Sequence, residues 1–415
     1  MIHLGSSEFH TGFFTFALVR LTSHWLAIFV FLVGLDVITS HVLDNSRTLG
    51  EQNWYTRYPF YPPYCASPDE MAKRKLPPLQ KDKRLGETRL RHVTVVIRHG
   101  SRTPYKAGLN CWEGYDTNPE TSVWDCNLTT YLAPPPPEVV STEEGKSTNH
   151  DQATFLFEKR YDGLTDTSKN LNNHLRGTCH LGQLLLQGYE QEYTNGQYLR
   201  DAYVYDESAY DHDARMRLMD ISSQRTKTNN VWDDIYFRVD DESRTLLSGQ
   251  VVLRGLFGPE LGNYFSTNKR HPIIPLHTAD YDRDILVANH EVCPRLSEVW
   301  ERNAASPGYQ QLNASKEAIL LRHFQVDVLK IPNTNRDMDA IDCIMTTMCT
   351  DRPIPDAIND YRPIDHPVDY TVTSKWNATY GTDILQRLHD FEAQKHNYIV
   401  TADGAEYAKL AMQPL

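Results

Sequence analysis

The sequence predicts an α/β fold, because it contains both strand-like and helix-like segments. The apolar run Val93 to Ile97 has the composition of a buried strand, and Ile235 to Arg238 has that of a second. Leu185 to Tyr203 carries apolar side chains at the spacing of one helix face, and Leu246 to Phe257 is an apolar stretch of helical length that ends at Gly258-Pro259. A chain of 415 residues has room for one large α/β domain with insertions.

The segment after the first predicted strand, Arg98-His99-Gly100-Ser101-Arg102-Thr103-Pro104, sets a histidine between two arginines. Arg98 and Arg102 offer planar, permanently charged groups that match phosphate oxygens, and the neutral imidazole of His99 can attack phosphorus. Gly100 lets the backbone approach closely, and Pro104 stiffens the exit. The pattern predicts a phosphate pocket with His99 as nucleophile. The alternative is that Arg98 and His99 are merely a solvated pair at a strand end. The presence of Arg102 and Pro104 argues against that alternative.

A third arginine, Arg244, stands where the helix after Leu246 is predicted to begin, with Ser243 or Thr245 as its cap. Free N–H groups and the helix dipole favour an anion there. An ion pair of Arg244 with Asp240 or Asp241 is the alternative. The net charge of −12 argues against a nucleic-acid partner, so the positive charge for a phosphate ester must be local. The sequence also contains no G-x-x-x-x-G-K-[ST], H-E-x-x-H or G-x-S-x-G motif.

These segments resemble the histidine acid phosphatase family, whose signature is R-H-G-x-R-x-P. Arg238 to Thr245 is similar to the family's second phosphate-contacting segment, and Pro275 to Thr278 and Val292 to Arg295 are similar to its P-x-H-T and C-P-R segments. The resemblance implies a central mixed sheet flanked by helices, with a helical cap or insertion. It also implies an acid phosphatase that hydrolyses small-molecule or glycan phosphomonoesters through a phosphohistidine. The implied roles are His99 as nucleophile and Arg98, Arg102 and Arg244 as phosphate ligands, with neither metal nor cofactor.

The sequence departs from the family at the proton donor. The family uses the aspartate of a late His-Asp pair that follows a strand. The late pair here, His389-Asp390, has neighbours at helical spacing after a predicted cap at Thr382 or Asp383, so Asp390 is not expected to donate the proton. After Tyr398 to Val400 and a short predicted helix, Ala405 to Met412, the chain stops about where the family would continue to its His-Asp strand. A C-terminal part of the domain is therefore expected to be missing.

Three functions remain open at this point. The first is a phosphomonoesterase, and the second is a catalytically impaired protein that binds phosphate or sugar through the same arginines. The third is a mutase-type phosphotransferase, which the P-x-H-T and C-P-R segments disfavour. Within the family, Cys65 to Pro68, Asp125 to Leu128 and Cys179 to Gly182 are similar to the 2-phosphoxylose phosphatases, which implies a phosphorylated xylose as substrate. Ser101 counts against that closer resemblance, because the family often has aspartate there.

The organisation of the chain follows from its composition. Residues 1–40 are expected to be a signal peptide, because the uncharged run Trp25 to Leu35 has the length of a signal-peptide apolar region rather than of a spanning helix. Thr39 and Ser40 make a mediocre cleavage site, which leaves an uncleaved signal-anchor open; a buried first helix is the other alternative. Residues 41–88 form an arm rich in Tyr and Pro, whose tyrosines either pack on the fold or make a sugar-stacking surface. Residues 89–415 form the incomplete phosphatase domain, with a polar insertion at about 106–178.

Cysteines and sequons predict the secretory pathway: Golgi, lysosome or the extracellular space. The seven cysteines have no C-x-x-C spacing, so disulfides are expected and one cysteine must lack a partner in the chain. The resemblance implies that this one is Cys293, because the family pairs the cysteine of its C-P-R segment with one further downstream. Glycosylation is predicted at Asn127, Asn313 and Asn377.

Overall fold

The structure, a computed structural model, is built mainly from helices. It describes residues 54–58, 61–77, 88–105, 111–127, 129, 175–205, 214–220, 235–268, 275–280, 283–284, 289–330, 337–354 and 375–412, all within one unit, Gln52–Leu415. The predicted leader at 1–40 and most of the insertion lie outside these ranges. No helix in the described part is long and apolar enough to cross a membrane. The helices are α1 Pro68–Ala72, α2 Pro119–Ser122, α3 Leu186–Tyr203, α4 Ser243–Asn268, α5 Pro294–Ala304, α6 Pro307–Asn313, α7 Lys316–His323, α8 Asp337–Cys349 and α9 Lys375–Met412.

The described strands form two short parallel pairs. Strand β1 (Val123–Trp124) pairs with β2 (Arg176–Gly177), and β3 (Val204–Tyr205) pairs with β4 (Met219–Asp220). Isolated bridges join Arg102 to Leu184 and Arg238 to His277. The predicted strand at Ile235 to Arg238 is thus reduced to one bridge. The central mixed sheet that the resemblance implied is not seen among the described residues. They contain helices together with the two short parallel strand pairs.

The first predicted strand, Val93 to Ile97, is wrong as secondary structure, because this segment has no regular hydrogen-bonding pattern. Val95, Val96 and Ile97 are 47 %, 83 % and 36 % exposed. An apolar run becomes a strand only when a neighbouring strand supplies hydrogen bonds, and no described segment lies alongside it in that way. Composition alone could not show whether that neighbour was present.

The helix predictions fare better. The predicted helix at Leu185 to Tyr203 is confirmed as α3, which begins one residue later. The predicted end of α4 at Gly258-Pro259 is wrong, since the helix continues to Asn268. A proline removes one hydrogen-bond donor and favours a kink, but it does not oblige a helix to stop. The start predicted for α9 at Thr382 or Asp383 is also wrong, because the helix begins at Lys375.

Helices α3 and α4 pack against each other at very short range. A Cβ atom added to Gly196 of α3 would lie 2.2 Å from the carbonyl oxygen of Val252, and one added to Gly255 of α4 would lie 2.2 Å from that of Tyr193. Glycine at both positions therefore lets the two backbones touch. Both helices also contact the loop that carries the Arg-His motif.

A second core joins the C-terminal helices to the segment after the motif. Side chains of α7, α8 and α9 pack with the residues that follow Cys111, and α9 is broken at Ala402 to Ala405 before its last turns. The predicted helix at Ala405 to Met412 corresponds to those turns. The largest fully buried members of this core are Tyr115, Phe324, Leu329, Ile344, Met348 and Leu388.

Three disulfides cross-link the fold, and Cys293 is unpaired, as the resemblance implies. The bonds are Cys65–Cys349, Cys111–Cys343 and Cys126–Cys179. Two of them end on α8, so this helix is tied both to the N-terminal arm and to the segment after the motif. The arm tyrosines pack on the fold: the Tyr55 and Tyr61 rings are 5.0 Å apart, and the Tyr55 hydroxyl donates to the carbonyl of Cys65. This packing favours the first of the two roles considered for the arm.

Replacing both Cys65 and Cys349 by serine is expected to lower the free energy of unfolding by about 3 to 5 kcal/mol. The reason is that, with Cys111–Cys343 still intact, this bond closes a loop made of residues 65–111 and 343–349, so the unfolded chain gains conformational freedom without it. Denaturant titration followed by circular dichroism measures the change. Cys293→Ser is the control and should leave stability nearly unchanged, because Cys293 forms no disulfide. Equal stability of the double-serine variant and the wild type would contradict the expectation.

Candidate active site

The motif loop is held by hydrogen bonds from two directions. The amide of Ser101 donates to Oε1 of Gln191 on α3 at 2.9 Å, and the amide of Gly100 donates to Oγ of Ser248 on α4 at 3.3 Å. The amide of Leu185 donates back to the carbonyl of Ser101 at 3.0 Å. The backbone that carries the motif is therefore fixed by both helices and by the turn that precedes α3.

Gly100 is required by a backbone contact. A Cβ atom at Gly100 would lie 2.4 Å from the carbonyl oxygen of Gly188, and one at Gly188 would lie 2.2 Å from that of Ser101. These two glycines allow the motif loop to rest directly on the first turn of α3. The close approach expected at Gly100 from the sequence is thus made toward the protein's own backbone.

The hydrogen bonds of His99 define its tautomer. Nδ1 lies 2.9 Å from the carbonyl oxygen of Gly100, which can only accept, so Nδ1 carries the proton. Nε2 then carries the lone pair, which accepts a hydrogen bond from Nε of Arg102 at 3.4 Å. Burial lowers the pKa of His99 to about 4, and the positive charges of Arg102, Arg98 and Arg244 lower it further, against the opposing effect of the Gly100 hydrogen bond. The ring is neutral at pH 5 and above.

The three predicted arginines surround this ring closely enough for each to act on its pKa. Arg102 is nearly buried, with 11 % of its side chain exposed. Arg98 is exposed as a whole residue, yet partial desolvation of its guanidinium group and the charge of Arg102 lower its pKa.

Arg244 lies in the first turn of α4, as the sequence predicts, and its guanidinium carbon is 4.6 Å from the centre of the Tyr105 ring. The helix start differs from the prediction, because the carbonyl of Glu242 accepts the first helical bonds, so neither Ser243 nor Thr245 is the cap. Arg244 pairs with Glu242 rather than with Asp240 or Asp241. Glu242 stands at the N-terminal boundary of α4, where its side chain contacts the guanidinium group of Arg244.

Several residues of this region were missed by reasoning from the sequence: Tyr105, Gln191, Ser248 and Asp342. The Tyr105 ring lies beneath both Arg102, at 5.7 Å, and Arg244, at 4.6 Å. Asp342 accepts hydrogen bonds from both terminal nitrogens of Arg102. Gln191 lies in a helix whose spacing is visible in the sequence, but Asp342 is far from Arg102 along the chain, and only the pairing of the adjacent Cys343 with Cys111 could have located it.

A cavity of about 440 Å³ opens beside the motif. Val95 to Arg102 form one side, and residues of α3, α8 and the arm form the others. Glu192, which also lines it, is 2 % exposed, and burial raises its pKa to about 7. Asp390 is exposed on α9 and does not line this cavity, and His389 and Asp390 lie within a helix as the sequence predicts.

The remaining predicted segments lie outside the cavity lining. His277 of the P-x-H-T-like segment stacks on Tyr236 with ring centres 4.5 Å apart. Cys293 precedes α5, and Arg295 pairs with Glu298 and Glu406. In the described part of the chain, no three His, Cys, Asp or Glu side chains cluster as a metal site would require.

The sequons differ in accessibility. Asn127 is exposed, and Asn313 is half-buried at the end of α6. Asn377 lies in α9, and its side chain is outside the described part.

The motif loop brings Arg98, His99 and Arg102 to the cavity, and Arg244, which lies outside the cavity lining, is near enough to lower the pKa of His99. A family model described as the histidine phosphatase superfamily (branch 2) matches residues 89–348, more than half of the chain. The chain therefore belongs to this family.

Curated relatives agree with this membership. Counting factor 60 of Dictyostelium discoideum is 25 % identical over 297 residues, which cover 72 % of this chain and 60 % of that protein. The "probable acid phosphatase" of Schizosaccharomyces pombe is 23 % identical over 342 residues, covering 79 % and 66 %. The lysosomal acid phosphatase of Rattus norvegicus is 29 % identical over 140 residues, covering 34 % and 29 %. The match thus spans less than two thirds of the length of the first two relatives.

Proposed function

We propose that the protein hydrolyses phosphomonoesters through a phosphohistidine formed at Nε2 of His99. The observation that carries the proposal is the state of this ring: it is neutral, its unprotonated nitrogen is Nε2, and that atom faces Arg102 with Arg98 and Arg244 nearby. A neutral imidazole is the nucleophilic form, and the arginines supply the charge that a phosphate dianion needs.

The chemistry proceeds in two displacements. Nε2 forms a bond to phosphorus while the bond from phosphorus to the ester oxygen breaks, and the alcohol leaves after taking up a proton. Water then attacks the phosphohistidine, which releases inorganic phosphate and restores the imidazole. The guanidinium groups neutralise charge on the three non-bridging oxygens in both steps.

Aryl and alkyl substrates differ in whether their leaving group needs a proton donor. The exposed Asp390 is not among the residues that line the cavity, and both carboxylate oxygens of Asp342 already accept hydrogen bonds from Arg102 or from the amide of Tyr105. A phenolate leaves without help from an acid, whereas an alkoxide does not. Aryl phosphates, whose leaving group needs no acid, are therefore the substrates of choice for assay.

Direct detection of the covalent intermediate tests the proposal. The protein is mixed with p-nitrophenyl phosphate at pH 5, quenched in alkali, where phosphohistidine survives, and examined by intact mass and by peptide mapping. One phosphoryl group on the peptide that contains His99 is expected. Turnover with no such adduct under rapid quenching would refute the mechanism.

The activity is expected to persist at acid pH and to decline only near pH 4. The sign follows from the pKa of His99: burial lowers it from 6.5 to about 4, so the nucleophile is protonated and lost only below that value. The acidic limb of kcat/KM against pH, measured with an aryl phosphate, should thus fall near 4. A limb near 6.5 would show that the ring titrates as an exposed histidine does.

A binding protein without turnover is the second candidate, favoured because Asp390 does not line the cavity and Asp342 is already engaged with Arg102 and the amide of Tyr105. It predicts saturable binding of inorganic phosphate with neither adduct nor product from p-nitrophenyl phosphate. The intermediate experiment distinguishes the two functions, because only the enzyme forms the covalent bond.

The substrate we propose is a sugar phosphate such as 2-phosphoxylose. Support comes from the resemblance of the segments around Cys65, Cys126 and Cys179, each of which is anchored by a disulfide. We also propose the secretory pathway as location, because disulfides form in oxidising compartments, and one relative is named a lysosomal acid phosphatase. Comparison of kcat/KM for xylose 2-phosphate and a glycerol phosphate tests the substrate, and a preference for the latter would refute it.

A further inference from the structure

We infer that Asp342 is the positioning residue for Arg102, and that it presents one particular edge of this guanidinium group to the phosphoryl group. The inference deepens the proposed function and rests on it for the identity of the ligand. Asp342 lies on α8, remote in sequence from the motif, and nothing in the pattern of the motif indicates it.

The carboxylate of Asp342 accepts hydrogen bonds from the two terminal nitrogens of Arg102. Oδ1 of Asp342 accepts from Nη2 of Arg102 at 2.7 Å, and Oδ2 lies 3.3 Å from Nη1. The pair is sheltered, since only 11 % of the Arg102 side chain and 17 % of the Asp342 side chain are exposed. Paired contacts of this kind fix the plane of the arginine as well as its position.

The remaining donors of Arg102 then point in a defined direction. The other hydrogen of Nη1 is donated to the carbonyl of Thr103 at 2.9 Å. Of the five N–H groups, those left outside these contacts are Nε–H and one on Nη2, and they share the side edge of the group. Nε already lies 3.4 Å from Nε2 of His99, so this edge faces the atom that attacks phosphorus.

Asp342 is itself fixed by the fold. Oδ2 also accepts from the backbone amide of Tyr105 at 2.7 Å, and the Tyr105 ring lies beneath both Arg102 and Arg244. The next residue, Cys343, is bonded to Cys111. One carboxylate thus orders Arg102 directly and, through the Tyr105 backbone, the aromatic ring that two of the three arginines share.

The test compares Asp342→Asn with a matched pair elsewhere in the chain. Glu317 and Arg387 form a similar two-contact ion pair, with Nε of Arg387 at 2.8 Å from Oε1, outside the cavity lining. Binding of inorganic phosphate is measured by calorimetry, and kcat and KM with p-nitrophenyl phosphate. Asp342→Asn is expected to weaken phosphate binding and to lower kcat/KM by about 10- to 100-fold, because misplacing a phosphate ligand by about 1 Å has an effect of that size. Glu317→Gln should leave phosphate affinity within about twofold.

A double-mutant cycle separates positioning from general destabilisation. In an Arg102→Ala background, Asp342→Asn should weaken phosphate binding by less than about twofold further, because its target is gone. An equal loss in both backgrounds, or wild-type phosphate affinity in folded Asp342→Asn, would overturn the inference. If the asparagine variant does not fold, Asp342→Ser, which keeps an acceptor for the Tyr105 amide, is judged by the same criteria.

Failure of this inference and failure of the proposed function give different results. Phosphate binding is measured at equilibrium and needs no turnover. A wild-type protein that binds phosphate without turnover refutes the enzyme and leaves the role of Asp342 to be decided by the cycle. A wild-type protein that does not bind phosphate overturns both.

Discussion

Replacing His99 by alanine is expected to lower kcat for p-nitrophenyl phosphate by about four orders of magnitude or more. The variant keeps the arginines but lacks the atom that forms the bond to phosphorus, so the two-step route is closed. Binding of inorganic phosphate should survive within several-fold, because Arg98, Arg102 and Arg244 remain. Steady-state kinetics and calorimetry on the same preparation measure the two effects separately.

The control for this experiment is Asp390→Asn. Asp390 is exposed on α9 and does not line the cavity, so activity toward the aryl substrate should remain at the wild-type level. Activity that persists in the His99 variant would contradict the proposed nucleophile. If Asp390→Asn selectively impairs hydrolysis of an alkyl phosphate, then this aspartate donates the proton after all.

Replacing Gly188 by alanine is expected to destabilise the fold by about 3 kcal/mol or more. The new Cβ atom would lie 2.2 Å from the carbonyl oxygen of Ser101 and 2.7 Å from its amide nitrogen. These are backbone atoms, so no rotation of a side chain can relieve the clash. The motif loop must move away from α3, and phosphate binding should decrease together with stability. Thermal and denaturant unfolding measure the first effect, and calorimetry measures the second.

Gly404→Asn provides the matched control for the glycine experiment. Gly404 has a φ of +70° and no atom within 4 Å of an added Cβ, and asparagine tolerates this backbone conformation better than most residues. Its stability should change by less than about 1 kcal/mol. A Gly188→Ala variant as stable as Gly404→Asn would show that α3 and the motif loop can separate freely.

Local patterns in the sequence predict the parts of the fold that local interactions determine. The spacing of apolar residues locates α3, and the motif places a histidine among arginines. The strand at Val93 to Ile97 could not be decided in this way, because a strand exists only together with its partner. The extent of α4 likewise depended on more than Gly258-Pro259, since a local signal can be outweighed by the rest of a long helix.

In the candidate site, too, the residues that are close together in sequence were predicted and the distant ones were not. His99, Arg98 and Arg102 are contiguous in sequence and were predicted, whereas Asp342 meets Arg102 across 240 positions. A carboxylate at such a distance leaves no local trace. A close backbone approach at Gly100 was predicted, but only the structure shows that it is made toward the carbonyl of Gly188.

Because two disulfides end on α8, we expect the position of this helix beside the motif to depend on thiol oxidation. Cys343 and Cys349 lie on the helix that carries Asp342, and their partners are Cys111 and Cys65. In a host cytoplasm that keeps these thiols reduced, α8 would lack both disulfides. Asp342, the ion-pair partner of Arg102, would then no longer be held in place by them. Recombinant production therefore calls for an export route or an oxidising strain, and material refolded under reductant is the wrong sample in which to judge whether this chain is an enzyme.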